Sequence, residues 1–174
     1  MTRPIGEWIH DHLPADRDLD QLELAQFATI IGELPELWRD KVRHDSGKRY
    51  YEQLYRDSHI DVWLICWLDD QKTGYHDHDL SSGGVYVCEG TLIEDRFVFS
   101  ISGLEHSSRE RPAGESFVFD GAYIHGMRHA GGPPVVSIHC YSPPLWRMGY
   151  YEADAQGSLS RISMTYLDEI AESA

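Results

Sequence analysis

The chain has 174 residues and a formal net charge of −14, with 15 Lys and Arg against 29 Asp and Glu. That length fits one domain with a sizeable core, and the charge argues against a nucleic-acid groove or an anionic membrane surface, both of which need basic patches. No apolar stretch approaches the ~20 residues of a membrane span. The opening Met1-Thr-Arg-Pro-Ile-Gly-Glu7 lacks a basic-then-apolar signal pattern. Cys66, Cys88 and Cys140 form an odd set, each inside an apolar segment, and read as reduced thiols of a cytoplasmic protein.

Residues 1–47 are expected to form a helical segment. Gln21–Ile31 carries apolar residues at helical spacing, with Asp18 or Asp20 as N-cap, and Pro35 opens a second short helix running to Val42. His10, His12 and His44 read as surface residues. Residues 48–168 read as a β-barrel belonging to the same domain, since no linker or repeat separates the two parts. The strands expected are 49–56, 60–67, one carrying the two histidines near residue 76, 84–89, 91–93, 96–101, 115–119, 135–141, 148–152 and 160–166. Turn signals fall at 89–90, 107–110, 131–134 and 155–157. Many short strands at near-regular spacing mean a sandwich or barrel.

Gly74-Tyr-His76-Asp-His78 stands out because alternate residues of a strand share a face, so that His76 and His78 point together and Asp77 points away. Two imidazoles side by side leave room for one ion. Alone, the pair also fits two exposed histidines in a polar turn. A second element, Gly114 to His129, supplies His125 near a glycine-containing turn. His129, four residues on, reads as an outer neighbour or surface residue, and His59 and His106 read as loop residues.

These two elements resemble the paired motifs of the small β-barrels called cupins, although Gly83 replaces the usual glutamate of the first and Asp120 and Ala122 replace the usual residues of the second. Three histidines without the glutamate, together with Leu64–Trp67, Ser137-Ile-His139-Cys-Tyr141-Ser-Pro-Pro144 and Ile162–Tyr166, resemble the cysteine dioxygenase (thiol dioxygenase) family of cupins. The resemblance implies a mainly β fold, a double-stranded β-helix or jelly-roll barrel with N-terminal α-helices packed on it. It implies iron(II) held by His76, His78 and His125. Three neutral imidazoles would leave half of an octahedral ion open to a thiolate and dioxygen, and zinc in their place has no redox chemistry with which to activate oxygen. Ser137, His139 and Tyr141 share one face of a strand, the face that a barrel fills with its site. In the family a matching Ser–His–Tyr relay leads to the metal; the alternative is a hydrogen-bonded core network.

Two departures from the family matter. Gly83 stands where animal cysteine dioxygenases carry a cysteine crosslinked to the catalytic tyrosine, so Tyr141 should be unmodified. The family clamps the substrate carboxylate with an arginine on the strand before Trp67. With Tyr50 laid on the family's tyrosine, Glu52 falls at that arginine, and a carboxylate is the wrong partner for a carboxylate. Arg49, Arg56 and Arg147 are replacements, and parity puts Arg56 on the face of Glu52 with Arg49 on the other, barring a bulge. Related 3-mercaptopropionate dioxygenases also lack that arginine. Tyr50 is expected to face substrate, Trp67 to wall the site, and a cis bond is expected in the Pro143-Pro144 turn.

The activity implied is addition of both atoms of dioxygen to the sulfur of a small thiol, L-cysteine first, giving cysteine sulfinate. Alternatives are 3-mercaptopropionate, cysteamine held through Glu52, a cupin oxygenase acting on another small molecule, or a non-catalytic metal-binding cupin. The expected partners are the thiol and O2, without nucleic acid or membrane, in a monomer or small homo-oligomer.

Overall fold

The computed structural model describes residues 4–14, 16–101, 103–154 and 158–172. Its frame follows from two strands whose residues are buried on both faces. These are β2 (Asp61–Trp67) and β9 (Val135–Ser142), antiparallel neighbours in the centre of one sheet. A strand covered on both sides needs apolar residues in both alternations. One alternation, Leu64, Cys66, Val136, Ile138 and Cys140, faces the N-terminal helices. The other, Trp63, Ile65, Trp67 and Val135, faces the second sheet. The first sheet runs β1 (Tyr50–Arg56), β2, β9, β4 (Ser82–Glu89), β7 (Ser116–Phe119).

The second sheet runs β11 (Leu159–Thr165), β10 (Arg147–Ala153), β3 (Tyr75–Asp77), β8 (His125–His129), β5 (Thr91–Ser100), β6 (Gly103–Pro112). The two sheets enclose the core that holds the histidines. The helices are α1 (Ile5–His12), α2 (Gln21–Gly32), α3 (Pro35–Trp38) and, at the far end, α4 (Tyr166–Glu172). Asp20 is the N-cap of α2, in a reciprocal capping box with Glu23. A short 3-10 turn, Arg39–Lys41, prolongs α3.

Several expected boundaries move. The strands expected at 91–93 and 96–101 are one strand, β5, and the turn expected at 107–110 lies inside β6. The described residues of β6 are mostly exposed, so its polar residues carry no apolar alternation to mark it, and in β5 the charged Glu94-Asp95-Arg96 interrupts the apolar pattern. His106 is therefore in a strand rather than a loop, with Nδ1 2.8 Å from the Tyr75 hydroxyl. The last expected strand gives way to α4 at Tyr166, and the turn expected at 155–157 lies outside the described residues, as do Met1–Arg3. The cis bond is Ser142–Pro143.

Helix α2 lies so close to β4 that a Cβ on Gly84 would sit 2.6 Å from the Leu24 carbonyl carbon and 2.8 Å from the Ala25 nitrogen. Backbone cannot give way as a side chain can. Gly84→Ala is expected to cost about 1–3 kcal/mol by overpacking, seen as a fall in Tm of roughly 2–12 °C. An unchanged melting curve would show that α2 is free to lift.

Candidate active site

Register across the second sheet brings the histidines together. His76 of β3 pairs with His125 of β8, and His78 follows directly after β3. One ring nitrogen from each of His76, His78 and His125 lies within 4.8 Å of the others, and among the described residues no carboxylate belongs to this cluster. All three residues are buried. Burial, with the neighbouring His125, holds His76 down to about 3. Burial likewise depresses His78 strongly, and it lowers His125 even though the Glu94 hydrogen bond pulls the other way. The three are neutral imidazoles, the form that offers a lone pair to a metal.

Each ring is oriented by a different neighbour. His76 Nδ1 is 2.9 Å from the Gly74 carbonyl oxygen, and His125 Nδ1 is 3.0 Å from Glu94 Oε1. Both contacts place the proton on Nδ1 and leave Nε2 as the donor nitrogen. His78 Nδ1 is the one buried side-chain nitrogen or oxygen, among the described residues, without a hydrogen-bond partner. Its ring instead stacks on Phe119, with centroids 4.4 Å apart.

Phe119 needs Gly83 to sit there. A Cβ at position 83 would lie 2.2 Å from the Phe119 ring. Gly83 pairs with Tyr141 across β4 and β9, so the space beside the tyrosine is filled by an aromatic ring.

Glu94 was not singled out in the sequence. It is 1 % exposed, accepts from Tyr123 Oη at 3.1 Å, and is gripped by the Arg111 guanidinium, which also pairs with Glu115. Burial alone would raise the Glu94 carboxyl, but its bonds to His125 and Arg111 hold it down to about 2. It is an anion made tolerable by a cation. Glu94→Ala is expected to destabilise the protein by ~3–5 kcal/mol, as removal of one partner from a buried pair does. Chemical denaturation measures it, and a loss under 1 kcal/mol would mean that Glu115 alone satisfies Arg111.

Asp77 points away from the histidines, as alternation requires. It accepts from Arg161 through both oxygens, from Tyr151 Oη at 2.6 Å and from the Gly149 N–H at 3.1 Å. This cluster ties β10 and β11 to the histidine strand. Asp79 pairs with Arg147 and Arg161.

A cavity with about 620 Å³ of space between atoms, part of it open to solvent, has the three histidines in its wall. His139 and Tyr141 line it as well. Ser137 Oγ is 2.9 Å from His139 Nε2, and Tyr141 Oη is 3.3 Å from His139 Nδ1. Trp67 is more than wall: its Nε1–H donates to Ser137 Oγ at 3.1 Å, which extends the row by one residue. Burial keeps His139 neutral, down to about 3.

The expected substrate side chains are placed otherwise than the sequence suggested. Tyr50 and Glu52 do not line the cavity; Tyr50 packs toward the helices and donates to Glu52 at 2.8 Å. Arg49 and Tyr51 line it instead. The cause is register. Tyr51 pairs with Ile65, whose side chain points inward, so Tyr50 and Glu52 point out. A bulge between Gln53 and Tyr55 then breaks the parity that would keep Arg56 with Glu52. Arg56 pairs with Asp61, 0 % exposed, and its guanidinium carbon lies 4.6 Å from the Trp146 ring centre and 5.0 Å from that of Tyr166. Arg147 is an exposed partner of Asp79 and does not reach the cavity. Arg49 is 7 % exposed, and its guanidinium carbon lies 5.3 Å from the Trp67 ring centre. Among the described residues it is the cavity's one Lys or Arg, and no Asp or Glu lines the wall.

His129 is not in the cluster; its Nε2 bonds the Pro133 carbonyl and its Nδ1 accepts the Gly131 N–H, with Asp69 close by. His59 meets Asp18 and Asp16 at the surface.

A double-sheeted barrel with a buried three-histidine cluster in its interior is the architecture of a metal-binding cupin. The family model described as Cysteine dioxygenase type I matches residues 9–154, and the chain belongs to that family. It is 24 % identical over 149 residues to Cysteine dioxygenase type 1 of Danio rerio, covering 79 % of this chain and 72 % of the relative. The protein is an enzyme of the cysteine dioxygenase type. Among solved structures, a Thermus thermophilus protein superposes with a TM-score of 0.52 at 17 % identity, over 61 % of this chain and 93 % of that one. An uncharacterised Klebsiella pneumoniae protein with a double-stranded β-helix domain gives 0.47 at 15 % identity, over 71 % and 91 %.

Proposed function

We propose that the enzyme is an iron(II)-dependent dioxygenase of thiol carboxylic acids, with His76, His78 and His125 as the metal ligands. Three neutral nitrogens, with no carboxylate beside them among the described residues, fit an open-sided iron site. When bound there, iron(II) supplies open coordination positions and the redox chemistry that lets a thiolate react with dioxygen. Two of the ligand rings are fixed through Nδ1 by Gly74 and Glu94.

The remaining work falls to the chain's own groups. Arg49, its guanidinium carbon 5.4 Å from the Tyr51 ring centre, receives the substrate carboxylate, because a guanidinium matches a carboxylate in charge and geometry. Ser137 and Tyr141 hydrogen-bond the two nitrogens of His139, which fixes its ring between them. Tyr141, in the cavity wall beside His78, is the hydroxyl placed to meet charge that grows on oxygen. Trp67 steadies the start of this row. The apolar walls keep water from the reacting atoms. Glu52, facing out and bonded to Tyr50, is not available to hold an amine, which argues against cysteamine. Cys66, Cys88 and Cys140 are unpaired thiols, which suits a reducing, cytoplasmic setting.

The observation that carries this reading is the meeting of the histidine cluster, the His139–Tyr141 pair and Arg49 in one cavity. Oxygen uptake by the iron-loaded protein with cysteine, 3-mercaptopropionate, homocysteine and cysteamine tests it. The thiol acids should drive uptake and cysteamine should not; the reverse order would overturn the assignment of Arg49.

A further inference from the structure

We propose that the natural substrate is a thiol acid bearing an apolar alkyl or aryl substituent, seated against Trp63, Leu145, Tyr166 and Ile170. This rests on the thiol dioxygenase reading and narrows its substrate class. Arg49 lies against Trp67, while the Tyr166 ring lies 6.0 Å from that of Trp63. Trp63 and Trp67 share a face of β2 four residues apart, about 13 Å along a strand. A three-carbon thiol acid places sulfur and carboxyl carbon only about 4 Å apart, from bonds of ~1.5–1.8 Å. Engaged by its carboxylate at Arg49, such a molecule leaves the Tyr166 end of the cavity unfilled.

Leu145, Met148, Tyr166 and Ile170 line the cavity, with Tyr166 edge-on to Trp63, and no carboxylate lines it among the described residues. A substrate ammonium would lose hydration against these apolar side chains. Each buried methylene gains roughly fourfold in affinity. The wall is also held in place rather than left slack. The Tyr166 N–H donates to the Trp146 carbonyl at 3.2 Å, the two rings meet edge-on at 6.4 Å, and Arg56, anchored on buried Asp61, lies over both rings. That is the role the structure gives Arg56.

The reaction stays R–SH + O2 → R–SO2H. Sulfur gives up four electrons, dioxygen takes four, both oxygen atoms bond sulfur, and the thiol proton ends on the sulfinic acid, which ionises to solvent. The test compares kcat/KM for 2-benzyl-3-mercaptopropionate, 3-mercaptopropionate and L-cysteine on the iron-loaded protein. Binding of the benzyl compound without oxygen is followed in parallel by tryptophan fluorescence. The benzyl thiol acid should exceed both small thiols at least tenfold, and Ile170→Asp should lower the benzyl-to-unsubstituted ratio at least tenfold. Equal or lower kcat/KM for the benzyl compound, or a ratio unmoved by Ile170→Asp, overturns the proposal while uptake with the small thiols preserves the dioxygenase reading. No uptake with any thiol overturns both.

Discussion

Arg49→Ala is expected to raise KM for thiol acids by ~30-fold to 10³-fold, the effect of removing one partner from a desolvated, hydrogen-bonded charge pair. The residue is 7 % exposed and shares a cavity with the histidine cluster. A carboxylate entering that apolar space gives up its hydration, and a guanidinium is the group on the wall best able to compensate. Arg49→Lys should recover part of the loss, because it keeps the charge and forfeits the fork. Arg56→Ala should act otherwise: it removes the cation from Asp61 and loosens the Tyr166 wall, so it should lower Tm before it alters carboxylate affinity. Steady-state kinetics and melting curves on the three variants separate the roles. If Arg49→Ala leaves KM unchanged while Arg56→Ala raises it, the clamp has been placed on the wrong residue.

Tyr141→Phe is expected to lower kcat by ~10²–10³-fold, the range for a lost acid or oxyanion donor, with metal content unaltered. Tyr141 is 7 % exposed and its hydroxyl has His139 at 3.3 Å. Its ring lies 5.4 Å from that of His78, so phenylalanine should keep the packing. The measurement is kcat alongside iron content per chain. Wild-type turnover at full iron loading would reduce the Ser137–His139–Tyr141 row to core structure. The intact protein should also have the mass of its sequence at Tyr141, since Phe119 fills the place beside Gly83.

The parts legible in the sequence were those set by short-range alternation. His76 and His78, and the row Ser137, His139 and Tyr141, each needed only the two-residue period of a strand to be placed on a common face. Strands β2 and β9 announced themselves because both of their faces are buried, one by helices and one by the second sheet. What escaped depended on pairings between distant segments. Glu94 is 31 residues from His125, and only the β5–β8 register brings them together. The choice between Tyr50 and Tyr51 as the inward residue turned on the β1–β2 register, and Arg56 on a bulge that no residue type in Gln53-Leu-Tyr55 declares. Trp67 held the missing clue: had its inward face been carried across the hairpin, Arg49 would have followed as its neighbour. The polar β5–β6 ribbon and α4 were misread because neither presents a continuous apolar stripe to the core.

The central claim is that both atoms of dioxygen reach the sulfur of a thiol acid held in this cavity. Single-turnover reaction of the iron-loaded protein under isotopically labelled dioxygen, with mass analysis of the product, measures it directly. The account predicts a sulfinate carrying two labelled oxygen atoms and one dioxygen consumed per thiol. A disulfide with release of hydrogen peroxide, or a product carrying one labelled atom and one from water, would contradict it.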